Sequence, residues 1–185
     1  MVWIAIKGIN NVKSSNVKRS WQEDLFYKLK QEGIKQISFV PDAGHSKLIN
    51  LAIAEPEIAA VSLTTEEEGV ALSCGAWLGG EKSVLLMQSS GVGNCVNMFS
   101  ILKSCNFPFL TIVTMRGEFE EFNEWQKPMG SATQPILELV GFEVFRADQS
   151  EQVLSLIRNV VPTIFLNDRK VAILLSQKFI GKKKW

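Results

Sequence analysis

Apolar positions follow two rhythms along the chain, one helical and one of short unbroken runs. Trp21, Leu25 and Leu29 recur every four residues and stop at Gly33, which predicts a helix closed by glycine. Ile37–Val40 reads as a strand with Pro41-Asp42-Ala43-Gly44 as its exit loop, then Ser46–Ala54 as a helix and Ile58–Leu63 as a strand. A helix over 65–78 leads into a strand at 83–87, and the glycine-bearing loop Gln88-Ser89-Ser90-Gly91-Val92-Gly93-Asn94 leads into a helix over Val92–Asn106. Phe109–Met115 is a strong strand, and 116–131 is polar and irregular, longer than most such connections. A short helix Pro135–Val140, a strand Phe142–Phe145, a helix Ser150–Phe165 and a strand Val171–Leu175 complete the alternation.

Strands alternating with helices predict an α/β fold, here a three-layer α/β/α sandwich on a six-stranded, mostly parallel sheet. The runs at 83–87, 109–115 and 171–175 are apolar throughout, as in strands covered by helices on both faces. The expected organisation is an N-terminal arm over 1–20, one domain over 21–178 and a basic tail over 179–185.

Composition adds mostly exclusions. With 185 residues, 46% hydrophobic and 21% charged, the chain is sized for one core, and a net charge of +1 gives no case for nucleic acid. Cys74, Cys95 and Cys105 form neither a disulfide framework nor a zinc spacing, and His45 is the only histidine, so no metal site is expected. The apolar start Met1–Ile6 is short and broken by Lys7, and no run reaches membrane length, so the expected location is cytoplasmic with no membrane partner.

Two places carry candidate chemistry. Thr65-Glu66-Glu67-Glu68 fits a capping box, in which Thr65 caps and Glu68 reaches back to the cap amide. Adjacent helical residues point about 100° apart, so one of the three acids is expected to face the sheet edge or an interface. The 88–94 loop allows close approach of backbone to a ligand at Gly91 and Gly93, yet Val96 stands where a dinucleotide fingerprint has its third glycine. That disfavours a nucleotide-binding Rossmann-like protein.

The residues Val40-Pro41-Asp42, Thr65-Glu66-Glu67-Glu68 with Cys74-Gly75-Ala76-Trp77, and Leu86-Met87-Gln88-Ser89-Ser90-Gly91-Val92-Gly93-Asn94 resemble the pyrimidine-binding (Pyr) domain of thiamine-diphosphate enzymes. Arg116-Gly117 and Gln126-Lys127-Pro128-Met129-Gly130 fit as well, and the likeness is nearest to the sulfopyruvate and phosphonopyruvate decarboxylases over about residues 21–178. The chain departs from that family at Thr65, where arginine is common, and at Met115, where histidine is.

The resemblance implies an alpha (Pyr-domain) subunit of a 2-keto acid decarboxylase. It implies Glu67 as the glutamate that exchanges a proton with N1′ of the cofactor, and Asp42 and His45 as groups that touch substrate or protonate an intermediate. It places Gln88, Ser89, Ser90, Gly91, Gly93, Asn94 and Gln126 around thiamine diphosphate and Arg116 on the substrate's anionic tail, with an Arg116 ion pair to Glu118 or Glu120 as the bland alternative. The Gly-Asp-Gly…Asn-Asn motif that holds the diphosphate and Mg2+ is absent, so a beta (PP-domain) subunit is expected to hold both, in a higher-order heteromer. The alternatives are a subunit acting on another 2-keto acid, or a non-catalytic scaffold or regulatory protein on the same fold.

Overall fold

The computed structural model describes residues 19–181; most of the arm expected over 1–20 and of the tail expected over 179–185 lies outside the described residues. The helices are α1 (Trp21–Gln31), α2 (Ser46–Ala54), α3 (Glu66–Leu78), α4 (Ser89–Cys95), α5 (Phe99–Ser104), α6 (Lys127–Leu139), α7 (Ser150–Ile164) and α8 (Gln177–Ile180). The strands are β1 (Ile34–Phe39), β2 (Ala59–Ser62), β3 (Lys82–Gln88), β4 (Phe109–Thr114), β5 (Glu143–Ala147) and β6 (Lys170–Leu175). They form one sheet in the order β2-β1-β3-β4-β6-β5, and every pairing is parallel.

Helices cover both faces, so the sheet separates two cores. One joins Leu25 and Leu29 of α1, Leu48 of α2, and Ile157 and Val161 of α7 to Ile37, Val84 and Ile112 of the sheet. The other joins Val70 of α3, Val92 of α4, Phe99 of α5 and Leu137 of α6 to Leu85, Met87 and Val113. Successive strand residues point to opposite faces, so Val84 and Leu86 serve one core and Leu85 and Met87 the other. That is why β3 and β4 are apolar without alternation. Trp77 of α3 is partly buried against Phe165, with ring centroids 5.9 Å apart.

At the start of the described chain, the Ser20 amide donates to Glu23 Oε2 at 2.7 Å and the Glu23 amide to Ser20 Oγ, a capping box on α1. At the other end Phe179 of α8 lies against Trp21, 4.9 Å between centroids.

Three expectations need correction. Residues 88–94 are not a loop: β3 ends at Gln88 and α4 begins at Ser89. The helix expected over Val92–Asn106 is two, α4 and α5, separated at 96–98. The segment 116–131 is only half irregular, since α6 begins at Lys127 and runs through Pro135. Pro128 lies in its first turn, where an absent N–H costs no helical bond, and Gly130, Thr133 and Leu137 give it a continuous buried face.

Candidate active site at the sheet's carboxyl edge

The strand order reverses at β1. The chain leaves β1 toward β2 on one side, and β3 returns on the other. In open parallel sheets ligands bind at such a point, beyond the carboxyl ends of the strands. Asp42 follows β1, Gln88 ends β3, Thr114 ends β4, and Glu66 opens α3 after β2.

Hydrogen bonds join Asp42, Gln88 and Thr114, with Ser90 and Gln126, into one chain, and Glu66 stands outside it. Gln126 Nε2 donates to Gln88 Oε1 at 2.9 Å, and Ser90 Oγ donates to the same oxygen at 2.9 Å. Gln88 Nε2 donates to Asp42 Oδ1 at 3.0 Å, and Thr114 Oγ1 donates to Asp42 Oδ2 at 2.8 Å. Gln126 is 3% exposed, and its buried Oε1 has no partner among the described residues. A buried amide oxygen without a donor is costly, so this atom marks where a donor from a bound group would be satisfied. A cavity of about 120 Å³ opens beside the chain, lined by Asp42, Gly44, Thr114, Arg116, Ile180 and Gly181.

The acidic triplet separates by direction. Glu66 is 8% exposed, lies over α4, and accepts from Asn94 Nδ2 at 2.8 Å through Oε2. Gly91 makes room for it: a Cβ there would fall 2.6 Å from Glu66 Cγ and closer still to the carboxylate. Burial, and then the charges of Glu66 and Glu67, push the Cys95 thiol well up. Glu67 is half-buried and its carboxylate accepts from Thr65 Oγ1 instead. Glu68 Oε2 accepts from the Thr64 amide at 2.9 Å, one residue before the expected cap, and Thr65 makes no side-chain cap bond. The acid that lies over α4 is therefore Glu66, while Glu67, the glutamate the resemblance selects, is turned to Thr65. A signal for this lay in the sequence: Glu66 is in helical register with the buried Gly69, Val70 and Ser73, and Glu67 is offset from that stripe.

His45 also departs from expectation. Its ring is 1% exposed, and Nε2 lies 3.2 Å from the Met87 carbonyl and 3.1 Å from that of Ile112. Burial lowers its pKa, so the ring is neutral and its Nε2–H is shared between two backbone acceptors. It has no side facing the cavity, and neither substrate contact nor acid catalysis follows from this placement.

Arg116 does reach the cavity wall, but its ion-pair partner is Glu121, not Glu118 or Glu120. Arg116 Nε donates to Glu121 Oε2 at 2.7 Å and Nη2 to Oε1, so Nη1 is the nitrogen that Glu121 does not engage. Ser89 is fully buried; its Oγ accepts the Arg116 amide at 3.0 Å, which leaves Ser90 as the serine joined to the polar chain. Gly93 and Asn94 are exposed on α4. Sequence reading did not single out Glu66, Thr114 or Glu121 at this edge; the last two carried no signal beyond their places at or after a strand end.

No protein-family model matches the chain. The sulfopyruvate decarboxylase alpha subunit of Methanococcus maripaludis is 33% identical over 155 residues, covering 83% of this chain and 93% of that protein. The phosphonopyruvate decarboxylase of Streptomyces viridochromogenes is 35% identical over 122 residues, and the match covers 65% of this chain and 31% of that protein. Among solved structures, the 2-oxoglutarate:ferredoxin oxidoreductase of Magnetococcus marinus superposes with a TM-score of 0.64 at 13% identity, over 88% of this chain and 29% of that one. That likeness shows the fold, the three-layer Pyr type of thiamine-diphosphate enzymes. With its length so largely matched, the chain belongs to the family of sulfopyruvate decarboxylase alpha subunits.

Proposed function

We propose that this chain is the Pyr-domain subunit of a thiamine-diphosphate-dependent 2-keto acid decarboxylase acting on sulfopyruvate or phosphonopyruvate, completed by a beta subunit that carries the diphosphate and Mg2+. The observation that carries the reading is the buried Glu66 carboxylate, held over Gly91 by Asn94 at the switch point of the sheet.

The residues fit an aminopyrimidine. Glu66 presents a carboxylate whose Oε2 is oriented by Asn94, and Gln126 offers an unpaired buried acceptor. When bound, the cofactor supplies the electron sink for loss of CO2 from the keto acid. With it bound, Glu66 would hold and exchange a proton with the aminopyrimidine and Gln126 Oε1 would accept a hydrogen bond from it, while Gln88, itself held by Ser90, fixes the orientation of Gln126. Arg116 meets the sulfonate or phosphonate through Nη1 while Glu121 holds its plane. Phe122 and Trp125, 80% and 68% exposed in the loop before Gln126, offer apolar area for a partner that closes the site against water.

The test compares two glutamates in the complex of full chain and partner. Glu66→Gln is expected to lower CO2 release from sulfopyruvate by at least about a hundredfold, the scale of a lost proton-transfer group. Glu67→Gln is expected to stay within a fewfold of wild type. Full turnover by Glu66→Gln would overturn the assignment, and a partner lacking the Gly-Asp-Gly…Asn-Asn motif would overturn the split site.

A further inference from the structure

The turn after β1 is fastened from three directions, and two of the fastenings converge on Asp42. From beneath, the His45 ring pins the turn to the backbone of β3 and β4 through the Met87 and Ile112 carbonyls. Within the turn, the Gly44 amide donates to Asp42 Oδ2 at 3.1 Å. From the side, Thr114 Oγ1 donates to the same oxygen at 2.8 Å, and Gln88 Nε2 holds Oδ1. The fit is close enough that a Cβ on Gly44 would fall 2.7 Å from Thr114 Cγ2 and 2.9 Å from Asp42 Oδ2.

This fastening answers an electrostatic difficulty. Asp42 and Arg116 line one cavity of about 120 Å³, and a carboxylate beside a guanidinium forms a strong paired contact. Such a contact would occupy the Arg116 nitrogen that Glu121 leaves unengaged. Three donors on the two Asp42 oxygens hold the carboxylate to the β1 turn instead.

We propose that Thr114 is a positioning residue that keeps Asp42 off Arg116 and so keeps the cavity open to an anionic substrate. The proposal rests on the decarboxylase reading for its substrate, but the placement of Asp42 stands on the geometry alone. Thr114 lines the cavity, but its hydroxyl is engaged by the carboxylate of Asp42, and it acts through Asp42. Losing its hydroxyl leaves Oδ2 with the Gly44 amide alone and lets it compete with the substrate's anionic group for Arg116, which weakens binding more than it slows chemistry.

Two readouts test this with Thr114→Val and the conservative Thr114→Ser. In the complex with its partner, Thr114→Val is expected to raise KM for sulfopyruvate about tenfold, the value of one charge-assisted hydrogen bond, with kcat within about twofold. Thr114→Ser is expected to restore the wild-type KM. In the full chain alone, the 13C carboxyl resonance of Asp42 is expected to move in Thr114→Val and to return in Thr114→Ser, with thermal melting marking a folded protein in each. An unchanged KM, an equal loss in kcat with KM unmoved, a serine variant that behaves like valine, or an unmoved Asp42 resonance would each overturn it. Absence of decarboxylation in the wild-type complex would sink the functional reading and leave the resonance to decide the role of Thr114.

Discussion

Glu121 shows how one residue sets the shape of the site. Its side chain is nearly inaccessible and accepts from the Arg116 guanidinium, the Gly117 and Asn123 amides and Gln177 Nε2. Arg116 above all, and then these amides, hold its carboxyl at about 2 against the opposing effect of burial. A carboxyl depressed in the fold stabilises it above the unfolded value near 4.5 and loses that contribution as pH falls toward 2. The expected size is on the order of 3 kcal/mol. Urea unfolding at pH 7 should show Glu121→Gln destabilised by a few kcal/mol, because it strands the buried Arg116 charge. The gap to wild type should narrow between pH 4.5 and 2; a constant gap would mean the ion pair is not its source. At this scale the sequence is least legible. The resemblance selects Glu67 within the acidic triplet, whereas the acid over α4 is Glu66, which differs from it only in direction around α3. His45 looks like loop chemistry, and its two carbonyl partners come from strands 42 and 67 residues away.

At the scale of elements, period and breakers locate nearly every helix and strand, and the misses have a common cause. Gly91 and Gly93 read as a loop because glycine disfavours helix by about 1 kcal/mol relative to alanine. The helix forms there because α4 packs on α3 and α6, and Gly91 is the space into which Glu66 fits. Gly91→Ala therefore has two expected effects of opposite sign. Helix propensity rises, and the Glu66 carboxylate, the end of a flexible side chain, is displaced by the new methyl group. Melting should stay within a few degrees of wild type or increase, while turnover of the complex falls at least about tenfold. Activity retained in Gly91→Ala would show that Glu66 need not lie over α4. Prolines mislead in the same way: Pro135 ends the expected short helix's upstream reading, yet tertiary packing carries α6 through it.

At the scale of the whole molecule, the covered fraction of relatives is informative. The chain spans nearly all of an alpha subunit and under a third of a phosphonopyruvate decarboxylase. The purified chain alone is expected to release little CO2 from sulfopyruvate with thiamine diphosphate and Mg2+ added, and to gain turnover on titration with its partner. Strong turnover by the chain alone would remove the need for a split site. The layered α/β architecture was legible because strand runs and helical stripes are local, whereas strand order depends on contacts between distant segments.

That order has a consequence for how the protein is made. β6, the last of the described strands, lies between β4 and β5. Until it is synthesised, β5 has no neighbour and β4 presents a bare apolar edge. At translation rates of about 5–20 residues per second, the stretch from β5 to the end of β6 takes seconds to emerge. For that interval β4 exposes one open edge and β5 two, each a template for pairing with another copy. A ribosome stalled in this stretch would hold an aggregation-prone, chaperone-binding intermediate, which makes the final strand the step that commits the sheet to solubility.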